Sequence, residues 1–196
     1  MTQSLLVGER IYLRLLQDSD VTEEYLGWLN DSEVTRGLEA GKFPANFAEM
    51  QRRLEIFQNT NRYLAFAIID TATNQHIGNI TLYDVNWLLH SAFEGNSNWD
   101  HCTVVPGIMI GRKDFWGRGF ATEAQSLIID YAFQHLGVHK VVHGPIANNL
   151  GSVKMSEKLG FVVEGVSRQE VFIDGKFRDE IMMGLFAHEF RKSTLK

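Results

Sequence analysis

The sequence predicts a mixed α/β fold in one domain, and three observations carry that reading. Stretches rich in β-branched and aromatic residues alternate with stretches whose apolar residues recur at helical spacing. Strand signals come three in a row in mid-chain and two in a row at the end. Between them, "WGRGFATEA" (116–124) joins a strand to a helix through two glycines one residue apart.

The elements follow in order. "RIYLRLL" (10–16) reads as a strand, and "DSDVTEEYLGWLND" (18–31) opens on capping residues and then spaces Val21, Tyr25 and Leu29 helically. A second helix over 46–59 gathers Phe47, Met50, Leu54 and Phe57 on one face. "RYLAFAIID" (62–70) and "HIGNITLYDV" (76–85) read as two strands of a hairpin across the polar linker "TATNQ". Residues 86–103 break the pattern with aromatics, Gly, Asn and Ser and read as a long loop inserted in the domain, of the kind that is functional or mobile. "VVPGIMIG" (104–111) is a buried strand in which Pro106 and Gly107 predict a bulge. A helix over 119–136, a strand over 139–146, a helix over 150–159 and a hairpin over 161–188 turning at Asp174-Gly175 complete a sheet of about seven strands.

Bulk properties exclude several functions. Apolar residues are 44% and charged residues 22% of the 196, ordinary globular usage. No apolar run reaches the roughly 18 residues a membrane span needs, and Glu9 and Arg10 stand where a secretory signal would have its apolar stretch, so a cytoplasmic protein is expected. Cys102 is the only cysteine, which excludes an internal disulfide and a thiolate metal cluster; no metal is expected. A net charge of −5 without a long basic run argues against nucleic acid as a partner.

The glycine pair raises the question of what approaches the backbone so closely. A strand, a Gly-rich turn and a helix N-terminus together present main-chain N–H groups to phosphate oxygens. Gly117 and Gly119 would thus admit a pyrophosphate, although for an isolated G-x-G the favoured reading is that the glycines merely shape a tight connection. The spacing fits neither a dinucleotide fingerprint, for which Thr122 stands where a third glycine belongs, nor a P-loop.

Further blocks narrow the reading. "NNLGSVKMSEKLGF" (148–161), Glu164-Gly165 and the Asp174, Gly175, Asp179 set follow "WGRGFATEA" in order. Together they resemble the GCN5-related N-acetyltransferase (GNAT) superfamily, and within it the branch of ribosomal-protein alanine N-acetyltransferases. Trp116 stands where many members carry Gln or Arg, a departure that this branch shares.

The resemblance implies a GNAT fold whose parallel strands, here 104–111 and 139–146, splay to form an acetyl-CoA cleft. Backbone groups of Ile108, Met109 and Ile110 would meet the pantetheine amides and the thioester carbonyl. Trp116, Gly117, Arg118, Gly119, Phe120 and Ala121 would carry the pyrophosphate, with Asn149 either touching the cofactor or capping the helix after it. Many members donate the thiolate's proton from a tyrosine at the position of Ser156; Ser152 is the other candidate, and either hydroxyl would orient or relay better than donate. The strand glutamate used as a base elsewhere is replaced near Pro106, leaving Asp100 and His101 of the loop as candidates. Trp28, Glu39, Tyr83 and Trp99 would line the acceptor pocket, with Trp28 and Tyr83 equally suited to the core.

The expected activity is acetyl transfer from acetyl-CoA to a primary amine. The loop at 86–103 favours a small or amino-sugar amine over a protein N-terminal α-amine, and the resemblance implies a homodimer. A non-catalytic acyl-CoA sensor or scaffold is the alternative, since the usual tyrosine and glutamate are both missing.

Overall fold

The computed structural model describes residues 5–59, 62–84 and 103–192. The strands are β1 (Leu6–Val7), β2 (Ile11–Leu15), β3 (Tyr63–Asp70), β4 (His76–Asp84), β5 (Thr103–Ile110), β6 (Lys140–His143), β7 (Val162–Ile173) and β8 (Lys176–Phe186). The helices are α1 (Glu23–Asn30), α2 (Phe47–Gln58), α3 (Phe120–Gln134) and α4 (Leu150–Leu159). The strand order is β1-β2-β3-β4-β5-β6-β8-β7, an eight-stranded mixed sheet in which β5 and β6 run parallel and the remaining pairings described are antiparallel. The extra strand beyond the expected seven is β1, two residues long and therefore too short to leave a periodicity in the sequence.

The chain divides into two compact units, 1–83 with 107–127, and 84–106 with 128–196. In the first, β3 is buried on both faces from Ala65 to Asp70, which explains its continuous apolar run. Leu54 of α2 packs on Leu16, Ala65, Ala67 and Ile69, and a second cluster joins Trp28, Leu29, Met50 and Met109. Each large side chain buried there stabilises the unit by about 2–3 kcal/mol. Both helices start on side-chain caps, as Thr22 Oγ1 accepts from the Tyr25 N–H and Asn46 Oδ1 from the Glu49 N–H. Arg14 and Asp20 form a buried bidentate ion pair, both bonds 2.6 Å.

The second unit holds the start of β5, β6 and the β7–β8 hairpin, which turns at Asp174-Gly175 as expected. Strand β6 ends at His143 instead of reaching 146: Gly144 to Ala147 leave the ladder and tie to β8 through Ile181 N–H to the Pro145 carbonyl and Ala147 N–H to the Asp179 carbonyl, both 2.9 Å. Helix α4 closes on Gly160 at φ 101°, the left-handed conformation that a C-terminal glycine permits.

Candidate active site

In the first unit, the segment after β5 builds the glycine loop. Gly111 lies flat against the Trp28 indole, where any Cβ would collide with the ring. A short 3-10 turn over Lys113–Phe115 leads to Trp116, whose indole N–H donates 2.7 Å back to the Ile110 carbonyl. That bond gives Trp116 a role at the position where Gln or Arg is common: it fastens the loop to the end of β5. It also occupies one of the three carbonyls expected to face pantetheine.

Gly117 and Gly119 have φ of 69° and 84°, a region that favours glycine. A Cβ at Gly117 would meet nothing within 4 Å, so backbone conformation and not crowding selects glycine there. Helix α3 begins as the Glu123 N–H bonds the Gly119 carbonyl at 3.0 Å, leaving the N–H groups of its first turn without helical partners. Phe120 is buried against Phe115 at 5.1 Å between ring centroids, anchoring the turn from beneath. The loop thus offers main-chain donors, a helix N-terminus and an exposed Arg118, a set that fits a pyrophosphate.

The other cations nearby are committed elsewhere. Lys113 bonds Asp31 at 2.8 Å and Glu33 at 2.5 Å, and Arg112 bonds Gln75 at 2.6 Å. The hydrogen bond to Asp31, followed by that to Glu33, raises the Lys113 pKa above its ordinary value.

Of the residues expected in the acceptor pocket, Trp28 is a core side chain, 8% exposed and stacked edge-on against His76 at 5.1 Å. Tyr83 is exposed at the end of β4, its ring beside Tyr63 at 5.7 Å. Glu39 starts a 3-10 turn, its side chain outside what is described. Asp100, His101 and Trp99 lie outside the described residues.

In the second unit, β5 and β6 pair in parallel only at Thr103–Lys140 and Val104–Val141. Val105 and Pro106 run on without ladder partners in β6, and Pro106 has no N–H to donate. The parallel ladder between the two strands is therefore two residue pairs long and ends there. Asn149 caps α4, its Oδ1 accepting from the Ser152 N–H at 3.2 Å, and Ser152 lies half-buried in the first turn. Ser156 is fully buried; its hydroxyl meets His143 Nδ1 at 2.6 Å and the Ser152 carbonyl at 3.1 Å.

Sequence reasoning passed over Arg10, Glu123 and His143. Arg10 and Glu123 form an ion pair at 3.0 Å across 113 positions, which no local spacing reveals. His143 reads as one more strand residue until α4 brings Ser156 to it.

Comparison with known proteins places the chain. The acetyltransferase (GNAT) domain family matches residues 10–162. A probable N-acetyltransferase of Bacillus subtilis, YjcK, is 29% identical over 92% of this chain and 96% of its own length. The spermidine N(1)-acetyltransferase of Escherichia coli is 36% identical over a shorter stretch, 39% of this chain and 41% of that one. Among solved structures, spermidine N-acetyltransferase from Vibrio cholerae in complex with CoA and spermine superposes with a TM-score of 0.77 at 23% identity, covering 92% of this chain and 97% of that one. The family match and the full-length relative define an acyl-transferring α/β enzyme. The chain belongs to the GNAT family: it is an N-acetyltransferase whose acetyl donor is acetyl-CoA.

Proposed function

We propose that this enzyme acetylates a primary amine of a small polycation of the polyamine class. The observation that carries this reading is the 36% identity to spermidine N(1)-acetyltransferase. The net charge of −5 agrees, since a negative protein attracts a polycation.

In this reading residues 116–121 hold the pyrophosphate and Ile108 and Met109 offer main-chain groups to pantetheine. The amine nitrogen attacks the thioester carbon, the C–S bond breaks, and the thiolate takes up a proton. Ser152, half-buried at the start of α4, orients or relays that proton; Ser156 is too deeply buried to touch the reacting atoms without movement. The amine proton passes to water, to His101 or to Asp100. Both compact units act as one acetyltransferase domain, since the family match runs through residues of each. The β7 edge strand and its hairpin partner expose Val162, Val166, Phe172, Phe177 and Met182, a surface suited to a second copy of the chain. A cytoplasmic location fits the absence, among the described residues, of any helix long and apolar enough to cross a membrane.

Mass spectrometry after incubation with acetyl-CoA and an equimolar mixture of spermidine and peptides bearing free N-terminal Ala or Ser tests the acceptor. Acetylated spermidine is the expected product; acetylated peptide alone would overturn the polyamine assignment.

A further inference from the structure

We propose that Arg10 is a positioning residue that aims the 117–119 backbone at the pyrophosphate of the cofactor; this rests on the reading that residues 116–121 hold that group. Arg10 lies just before β2, far from the loop in sequence, yet three of its donors end there. Its backbone N–H donates to Glu123 Oε1 at 2.8 Å, its Nε to Glu123 Oε2 at 3.0 Å, and its Nη1 to the Arg118 carbonyl at 2.8 Å. The guanidinium carbon also lies 4.4 Å from the centre of the Phe120 ring.

The bond to the Arg118 carbonyl has a geometric consequence. In a trans peptide the C=O and the following N–H point to opposite sides, and no peptide in the described chain is cis. Drawing the Arg118 carbonyl onto Arg10 therefore turns the Gly119 N–H away from the guanidinium. Gly119 at φ 84° allows the turn, and a Cβ there would lie 3.3 Å from Arg10 Nη2, so the loop rests directly on the positive charge.

Charge supplies the second part of the argument. Glu123 sits in the first turn of α3 and is 5% exposed. Left alone, its carboxylate would repel a phosphate at the helix N-terminus; the bond to Arg10 neutralises it. The remaining donor, Arg10 Nη2, is buried and has no hydrogen-bond partner among the described residues, which leaves part of the guanidinium charge uncommitted behind Gly119. Arg10 thus aims one donor and cancels one opposing charge.

Calorimetric titration of the protein with CoA and, separately, with pantetheine, which lacks the pyrophosphate, tests this without any acceptor. Arg10→Met is expected to weaken CoA by about tenfold or more, the loss of one charge-assisted bond, while leaving pantetheine within about twofold. Should Arg10→Met fail to fold, Arg10→Lys gives the same comparison, because a single ammonium cannot hold Glu123 and the Arg118 carbonyl with a guanidinium's forked geometry. Gly119→Ala is the control for the loop itself. If Gly119→Ala is selective against CoA while the Arg10 variant weakens both ligands equally or neither, the role of Arg10 is overturned. If Gly119→Ala is itself not selective, the pyrophosphate reading fails, and this proposal falls with it.

Discussion

His143 Nδ1 lies 2.6 Å from the Ser156 hydroxyl, and that hydroxyl also donates 3.1 Å to the Ser152 carbonyl. A serine has one proton to give. With it given to the carbonyl, the histidine must carry its own on Nδ1 and donate, which leaves Nε2 as the ring's acceptor. The bond joins the last residue of β6 to the middle of α4, the helix that carries Asn149 and Ser152.

Burial pushes the His143 pKa down from 6.5 to about 4. The unfolded chain therefore binds a proton between those values that the folded chain refuses, and stability is complete above about pH 6.5 and falls as the pH drops towards 4. His143→Gln removes this titration. On acidification from pH 7.5 to 4.5 the wild type should lose about 2–3 kcal/mol relative to the variant, measured by denaturant unfolding at each pH. Parallel stability curves would contradict the assignment.

Ser156→Ala leaves His143 Nδ1 buried without its partner. A loss of about 1–3 kcal/mol is expected, with CoA affinity unchanged within about twofold, because the hydroxyl is fully buried and already bonded to His143 and to the Ser152 carbonyl. Thermal melts with and without CoA check both halves of the expectation.

Gly117→Ala isolates backbone conformation from sterics, since a Cβ there meets no neighbour but must sit at φ 69°. The left-handed conformation costs a non-glycine residue about 1–2 kcal/mol, so the loop should relax and CoA binding weaken by about tenfold. Unchanged affinity, read by equilibrium dialysis, would show that this peptide does not need its observed orientation.

The Arg14–Asp20 pair is buried, bidentate and 2.6 Å at both bonds. Removing one partner strands the other charge, and Asp20→Ala should cost about 3–5 kcal/mol, visible as a lower unfolding midpoint at an unchanged slope. A loss below about 1 kcal/mol would mean that water reaches the pair, as at an exposed ion pair.

Much of the fold was legible because its signals are local. The capping residues ahead of α1 and at Asn149, the Asp174-Gly175 turn and the glycine pair each declare themselves within a few residues, and α4 was expected over the same 150–159 that it occupies. What escaped depends on contacts distant in sequence. Arg10 means nothing until Glu123 and the Arg118 carbonyl stand beside it. Strand β6 looked longer than it is because Gly144 to Ile146 are apolar enough to continue it, yet they bond to β8 by an irregular route. Trp28 matched either a pocket or the core, and its burial, with Leu29, Met50 and Met109 around it and Gly111 pressed against its ring, decides for the core.

The most direct measurement is the release of CoA thiol from acetyl-CoA by the purified enzyme, with spermidine and without any acceptor. The account predicts release with spermidine well above the blank, saturating in both substrates, with one acetylated amine formed per thiol. CoA that binds and protects the fold against heat while no thiol is released with spermidine, other small amines or N-terminal peptides would contradict it, and would make the domain a sensor of acyl-CoA instead of an enzyme.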